Sequence, residues 1–329
     1  MCIRKIIPYF VLIFACSVGF SQSQDKTAMK FAQTITAEDA KKHLSVLASD
    51  EYEGRETGKE GQKKAAKYIS DNFKKIGLKS ATDETYLQKF PLTQSTPESA
   101  NMKADEKKYE NYKDFYVFPY GSDLKLEAKS ILFLGYGISD EKYDDYKNAD
   151  VKDKIVLVLG GEPVSKDSIS FITGSKDFSD WTTNYRKKTE AAKNKGASAL
   201  VVVNQNFDAN VGFLKHYLES PSLKLESEKK GDEKKKKKRV LQAGISSKMA
   251  NELFKIKKSS VDEIKHKIQK KKESVSFEIK TLFEIEIKNK VEEISSENVL
   301  GMVEGGEFKD EVIFVTAHYD HLGVKEGKV

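Results

Sequence analysis

The sequence predicts a mixed α/β protein, on the pattern of its apolar residues and on its helix caps. Short apolar runs rich in β-branched residues, such as 154–159 (KIVLVL) and 199–204 (ALVVVN), are typical of buried strands. Longer segments with apolar residues every three or four positions lie between them and predict helices. The 329 residues are 38% hydrophobic, which is enough for packed cores, and 33% charged, which excludes a multi-span membrane protein.

The first 21 residues predict a secretory signal peptide. Arg4 and Lys5 precede an apolar run at 6–20, and small and polar residues follow, with cleavage expected near Ser21. We therefore expect an exported protein, periplasmic or extracellular, without a stable membrane span. Lipoprotein anchoring through Cys16 is an alternative that the apolar residues around it disfavour.

Both cysteines, Cys2 and Cys16, lie in this segment. The mature chain would then have no thiol, and any metal site must use His, Asp and Glu.

The net charge is concentrated in one stretch. The chain carries 57 basic and 51 acidic residues, a difference of 57 − 51 = +6, and residues 229–239 (KKGDEKKKKKR) alone account for +6. A basic stretch of low complexity without aromatic residues predicts a solvated loop, with contact to a polyanion or a membrane surface as the alternative. We expect no nucleic-acid partner.

The first elements are two helices. Thr36 and Asp39 resemble a capping box and start a helix to about Ala48, with Ala40, Leu44 and Leu47 expected to be buried. A second helix is predicted at about 59–76, ended by Gly77.

The middle of the chain predicts a small α/β unit. Residues 93–113 are polar, contain Pro97 and indicate a linker. The elements predicted after it are strands at 130–135, 154–159, 199–204 and 240–245 and helices at 181–195, 247–257 and 261–273.

The last part of the chain predicts strands at 275–287, 298–303 and 312–317. His318, Asp320 and His321 follow directly on the third of these. Ligands bind beyond the carboxyl ends of strands in open α/β sheets, so this position suggests a metal site with nitrogen and oxygen ligands. His318 could offer an imidazole nitrogen to zinc, and Asp320 could orient it.

Several strings then occur in the order found in a known family. Residues 47–58 (LASDEYEGRETG), 75–78 (KIGL), 296–305 (SENVLGMVEG) and 317–323 (AHYDHLG) together resemble the secreted zinc aminopeptidases of the transferrin-receptor and glutamate-carboxypeptidase type. Residues 135–138 (GYGI) and 151–158 (VKDKIVLV) resemble the protease-associated domain often inserted in these enzymes.

The resemblance implies a zinc-exopeptidase domain, a mixed sheet flanked by helices, interrupted by a protease-associated domain. Its limits would be 22–105 for the first part, 106–285 for the insert and 286–329 for the first sheet strands. It further implies two zinc ions, peptide substrates, His318 as a zinc ligand and Asp320 as the supporting carboxylate; His321 receives no metal.

The family's other metal ligands and its general base would lie downstream of this motif, and the chain has 11 residues after His318. We therefore expect a truncated, N-terminal portion of an aminopeptidase that is inactive by itself, since a catalytic zinc needs about three protein ligands. The alternatives are a non-enzymatic module that binds peptides or proteins through the insert, and a cyclase acting on N-terminal glutamine.

Other polar and aromatic residues have simpler interpretations. Arg55 is expected to have a structural role, with carboxylate binding as its alternative, and Trp181 is expected in the core. The remaining histidines, His43, His216 and His266, are expected at the surface. The acidic pair in 143–146 (YDDY) is expected in a turn, with calcium binding as its alternative.

Overall fold

The computed structural model describes residues 25–82, 85–225, 239–308 and 310–324. The predicted signal peptide with Cys2 and Cys16, and residues 226–238, which include all of the lysine-rich stretch except Arg239, lie outside the described residues. The chain divides into two compact units: Ser80–Leu300 forms one, and the described parts of Met1–Lys79 and Gly301–Val329 form the other. The predicted domain limits at 105/106 and 285/286 stay a prediction.

The larger unit is built on a mixed sheet, which confirms the predicted fold class. Its strands in the described residues are β2 (Leu87–Ala104), β3 (Lys107–Tyr109), β4 (Phe115–Val117), β5 (Leu124–Leu134), β6 (Ile155–Leu159), β7 (Ala199–Asn204), β8 (Ser222–Leu225), β9 (Leu241–Ser246) and β10 (Ser276–Val299). Their order in the sheet is β3-β2-β10-β5-β6-β7-β9-β4, with β8 paired to β2. The pairs β5–β6, β6–β7 and β7–β9 are parallel and the others antiparallel.

The described helices of this unit flank the sheet, and most match the predicted positions. They are α4 (Asp180–Thr183), α5 (Tyr185–Asn194), α6 (Phe207–Glu219), α7 (Ser247–Phe254) and α8 (Val261–Lys271). The helix predicted over 181–195 is divided at Asn184, whose side chain accepts from the backbone N of Arg186 and so starts α5 as a cap.

Strands β6 and β7 are buried on both faces, as their continuous apolar sequences predict. Ile155, Leu157 and Leu159 pack into one core cluster, whereas Val156 and Val158 pack into the second, on the opposite face. The alternation of side chains along a strand therefore supplies two cores from one five-residue run.

The linker predicted at 93–113 is wrong, because most of it belongs to β2 and β3. Strand β2 pairs with β10 along almost its full length, and the pairing is irregular where Asn289 lies opposite Pro97. Proline has no N–H to donate to the ladder and is tolerated at such a bulge. The strand has the composition of a loop because polar residues occupy both its exposed positions and buried ones such as Gln94 and Ser95.

Asp145 organises the turn that begins at Gly135. Its Oδ2 accepts hydrogen bonds from the backbone N of Tyr136 (2.9 Å) and Ile138 (3.0 Å), and its Oδ1 accepts from the Ser274 hydroxyl (2.6 Å). A Cβ on Gly135 would lie 2.1 Å from Oδ1 at a φ of +44°, so this position requires glycine. The conformation of residues 135–138 is thus determined by their hydrogen bonds to one buried carboxylate and by its close approach.

Lys188 lies beside this turn and is almost fully buried. Its ammonium nitrogen donates to the backbone O of Gly161 (2.6 Å) and of Tyr136. Burial lowers the pKa of Lys188 to about 7, against the opposing attraction of Asp145 and Glu162.

The smaller unit contains α1 (Lys26–Ala32), α2 (Ala37–Leu47) and α3 (Glu60–Lys75), and the short strands β1 (Lys79–Ser80) and β11 (Gly301–Met302) pair with each other. Thr36 caps α2 as predicted, accepting from the backbone N of Asp39 at 3.1 Å. The predicted burial of Ala40, Leu44 and Leu47 is wrong: α2 has no buried residue, since no described part of this unit covers its apolar face.

The strand predicted at 312–317 is also wrong in the described chain. Its residues have no β assignment, and Val312, Ile313, Phe314 and Val315 are 70–96% exposed. A strand requires a hydrogen-bonding neighbour, and the described residues offer it none.

Candidate functional site

The 50–58 loop, which precedes α3, takes its shape from left-handed backbone positions. A 3₁₀ segment at Asp50–Arg55 is interrupted at Glu53 (φ 48°) and Gly54 (φ 61°), and Arg55 is also left-handed (φ 54°). A Cβ on Gly54 would lie 2.5 Å from the backbone O of Gly323. Glycine at 54 therefore allows the backbone of 318–323 to approach the loop.

Two backbone hydrogen bonds join the loop to the histidine string. The N of His321 donates to the O of Arg55 at 2.8 Å, and the N of Gly323 donates to the O of Gly54 at 3.0 Å. The Arg55 guanidinium reinforces the junction, since Nε donates to the O of Tyr319 at 2.8 Å and Nη1 donates to the O of Leu47. Arg55 thus has the structural role that was expected of it.

At this junction lies a short chain of polar side chains, Thr57, Asp320 and His318. The Thr57 hydroxyl donates to Asp320 Oδ2 at 2.5 Å, and Asp320 Oδ1 lies 3.3 Å from His318 Nδ1. Partial burial raises the pKa of Asp320, but the hydrogen bonds from Thr57 and His318 outweigh it and hold the pKa below its usual value.

This geometry selects one nitrogen of His318 for ligand binding. An ionised carboxylate only accepts hydrogen bonds, so this contact requires Nδ1 as the donor, and in the neutral imidazole Nε2 is then the nitrogen with the free lone pair. The His318 side chain is 82% exposed, so Nε2 is accessible. A carboxylate behind the imidazole is the usual arrangement for a metal-binding histidine.

The described residues do not complete a metal site. In the described ranges, no three His, Cys, Asp or Glu side chains are grouped so that they could hold an ion. A catalytic zinc needs about three protein ligands, and this junction offers one imidazole. His318 and Asp320 as site residues stay a prediction.

The other candidate residues have structural roles in the described chain. Trp181 is buried in the core as expected, and its Nε1 donates to Asp140 at 3.2 Å. The Asp144 carboxylate accepts from the N of Tyr146 within a turn, as was expected of 143–146. His43 is exposed, with Nδ1 2.9 Å from the hydroxyl of Tyr68.

Sequence reasoning missed Thr57 and the contact partners of Arg55. Thr57 lies 263 positions before Asp320. The one available signal was that both residues belong to strings of the same family resemblance, which contains no distance information.

A family model matches the middle of the chain. Residues 128–253 match the PA domain. The matched residues lie within the 80–300 unit and include the Asp145 turn and strands β6, β7 and β9. No curated protein matches the chain.

Solved structures with some similarity are peptidases. An aminopeptidase from Aneurinibacillus sp. strain AM-1 is 15% identical, with 84% of this chain and 50% of that chain covered and a TM-score of 0.37. A zinc aminopeptidase from Bacillus subtilis is 15% identical, with 87% of this chain and 52% of that chain covered and a TM-score of 0.36. A peptidase precursor from Shewanella amazonensis SB2B is 16% identical, with 90% of this chain and 57% of that chain covered and a TM-score of 0.33.

The chain therefore spans about half the length of the solved structures it resembles. At these TM-scores the likeness carries no weight for activity. No described helix combines the length and the apolarity needed to cross a bilayer.

Proposed function

We propose that this chain is the N-terminal portion of an exported, zinc-dependent aminopeptidase that removes N-terminal residues from peptides. The single observation that carries the proposal is the Thr57–Asp320–His318 chain. It connects two strings of the family resemblance and presents Nε2 of one imidazole outward. The PA match at 128–253 supports it, since this domain is the expected insert.

In this proposal His318 is one zinc ligand and Asp320 positions it. Asp320 holds the proton on Nδ1, and Thr57 keeps the carboxylate in place. The remaining ligands of the two expected ions come from residues outside this sequence. The chain of 329 residues by itself is then inactive and binds zinc weakly.

The reaction class is tested with the protein expressed from its own gene in its natural source. Peptides that begin with Leu or Gln are incubated with the zinc-loaded protein, and the products are identified by mass spectrometry. The proposal predicts release of the free N-terminal residue, reduced more than about 100-fold in His318→Ala, because a metal ligand matters at least as much as its supporting carboxylate. Cyclised glutamine would favour the cyclase alternative, and no zinc-dependent product would contradict both.

The weak-binding claim is tested on the 329-residue chain itself by calorimetric zinc titration. We expect a dissociation constant weaker than about 1 μM, because one imidazole does not satisfy a zinc ion. Stoichiometric binding tighter than this would show that the chain completes the site alone.

A second candidate function is a non-enzymatic module that binds peptides or proteins. The incomplete donor set favours it, because the described part of the PA-like unit has its own buried cores whereas the histidine string has one candidate ligand. The protein expressed from its own gene would then bind peptides without releasing their N-terminal residue. The same mass-spectrometric assay distinguishes this function from aminopeptidase activity.

A further inference from the structure

One surface of the 80–300 unit exposes aromatic rings next to cations. Helix α6 carries Phe213 and Tyr217 one turn apart, so both lie on one face of the helix. Phe213 is 85% exposed and Tyr217 is 59% exposed. Among the described residues Phe213 is the most exposed phenylalanine, and Tyr217 beside it makes the exposed aromatic area continuous along one helix face.

The aromatic surface continues from α6 onto the segment that follows β4. The rings of Tyr217 and Phe118 have centroids 6.3 Å apart, and Tyr120 lies two residues further along the chain. The guanidinium carbon of Arg239 lies 5.1 Å from the centre of the Tyr120 ring, and its Nη1 donates to the O of Tyr120 at 2.8 Å.

A second cation lies next to this segment. The ammonium nitrogen of Lys224, in β8, is 3.7 Å from the place that a Cβ on Gly121 would take. Phe118, Tyr120, Phe213, Tyr217, Lys224 and Arg239 together are called the aromatic–basic patch.

The sequence next to the two cations of the patch is basic. Arg239 is the last residue of the basic stretch 229–239, whose net charge is +6, and Lys224 lies five residues before its start. The described residues on either side of 226–238 therefore lie at the patch, where the charges of Arg239 and Lys224 complement an anionic partner.

We propose that the aromatic–basic patch binds the surface of an anionic phospholipid bilayer. Phe213 and Tyr217 would enter the headgroup region while Arg239 and Lys224 face lipid phosphates and carboxylates. Projecting aromatic side chains with cations beside them supply the two signals that peripheral membrane binding needs, insertion of apolar groups and attraction to anionic lipid. A bilayer requires no complementary pocket, so a phenylalanine that projects into solvent suits it better than it suits an acidic protein surface.

The proposal is tested by sedimentation of the full chain with vesicles. We expect vesicles with about 30% phosphatidylserine in phosphatidylcholine to bind at least about tenfold more protein than pure phosphatidylcholine vesicles, and the excess to disappear above about 0.5 M salt, where charges are screened. Residues 1–24 are common to all variants, so any binding through them cancels when variants are compared.

Variants distinguish binding through the aromatic–basic patch from nonspecific adsorption of exposed apolar side chains. We expect Phe213→Ser with Tyr217→Ser to lower binding to anionic vesicles at least about fivefold, and Arg239→Gln with Lys224→Gln to lower it similarly. The matched control is Phe178→Ser, which removes a phenylalanine exposed to 57% elsewhere in the unit and should leave binding within about twofold. Tryptophan fluorescence identical to that of the unchanged chain confirms that each variant is folded.

Three results would overturn the proposal. Equal binding to neutral and anionic vesicles would exclude recognition of anionic lipid. A loss of vesicle binding in Phe178→Ser as large as that in the patch variants would exclude the aromatic–basic patch as the membrane-binding surface. Capture by polyglutamate without any vesicle binding would identify an acidic polypeptide as the partner instead.

Discussion

Replacing Asp145 with alanine should destabilise the 80–300 unit by about 3–5 kcal/mol. The carboxylate accepts the backbone N–H groups of Tyr136 and Ile138 and the Ser274 hydroxyl. Alanine would leave two buried N–H groups without acceptors, each costing about 1–3 kcal/mol. The loss of the Ser274 bond adds to this, and relief of the buried charge offsets part of it.

Asp145→Asn should destabilise the 80–300 unit by about 1–2 kcal/mol, far less than Asp145→Ala, because of the geometry of the hydrogen bonds to the carboxylate. Both backbone N–H groups donate to the same oxygen, Oδ2. An amide oxygen placed there keeps both bonds, and the amide nitrogen can donate to Ser274. The matched control is Glu141→Ala, an exposed carboxylate nearby that should change stability by less than about 0.5 kcal/mol.

The assay is urea unfolding followed by tryptophan fluorescence. Trp181 is the only tryptophan and is buried in the core of the same unit, so its signal reports the unfolding of this unit. Equal urea midpoints for Asp145→Asn and Asp145→Ala would refute the reasoning that an amide oxygen can replace Oδ2 as the acceptor of both backbone N–H groups. A loss under about 1 kcal/mol for alanine would refute the organising role of the carboxylate.

Three further outcomes are expected. Gly54→Ala should speed hydrogen exchange at the Gly323 amide at least about tenfold, because the new Cβ meets the O of Gly323 at 2.5 Å. In the zinc-loaded natural protein, Thr57→Val should weaken zinc binding about tenfold by releasing Asp320, as measured by competition with a chelator, whereas Thr57→Ser should not. The pKa of Lys188 in the folded state, about 7, lies below its value in the unfolded state. Between these two pKa values the unfolded state binds more protons than the folded state, so the free energy of unfolding rises with pH. Lys188→Met should remove up to about 4 kcal/mol of that rise between pH 7 and 10, as measured by urea unfolding at a series of pH values.

The sequence predicts best those elements whose pattern is local. The run at Ile155–Leu159 is apolar at every position, which only a strand buried on both faces explains at that length. The caps at Thr36 and Ser260 are decided by contacts three residues away. Each of these signals lies within one short window of the sequence.

Elements decided by distant partners are predicted poorly. Residues 87–104 form a strand because β10, almost 200 positions away, pairs with them, although their own composition is polar. Residues 312–317 have a strand's composition but no described partner. Pairing is a property of two segments, and one segment alone cannot show it.

The candidate site divides in the same way. The pair His318 and Asp320 is visible because the two residues are only two positions apart in the sequence. Thr57 and Arg55 reach the same place through the folded loop, since Arg55 lies 264 positions before Tyr319. The resemblance identified both strings, and the structure gives their hydrogen bonds.

The most direct test of the zinc-peptidase proposal is the zinc content of the natural gene product in two variants, His318→Ala and His321→Ala. Both remove an imidazole from the same string, and the backbone bond from the N of His321 to Arg55 survives in alanine. The proposal predicts that His318→Ala loses zinc and aminopeptidase activity together while His321→Ala retains both. Retention of zinc by His318→Ala, with loss in His321→Ala, would contradict it.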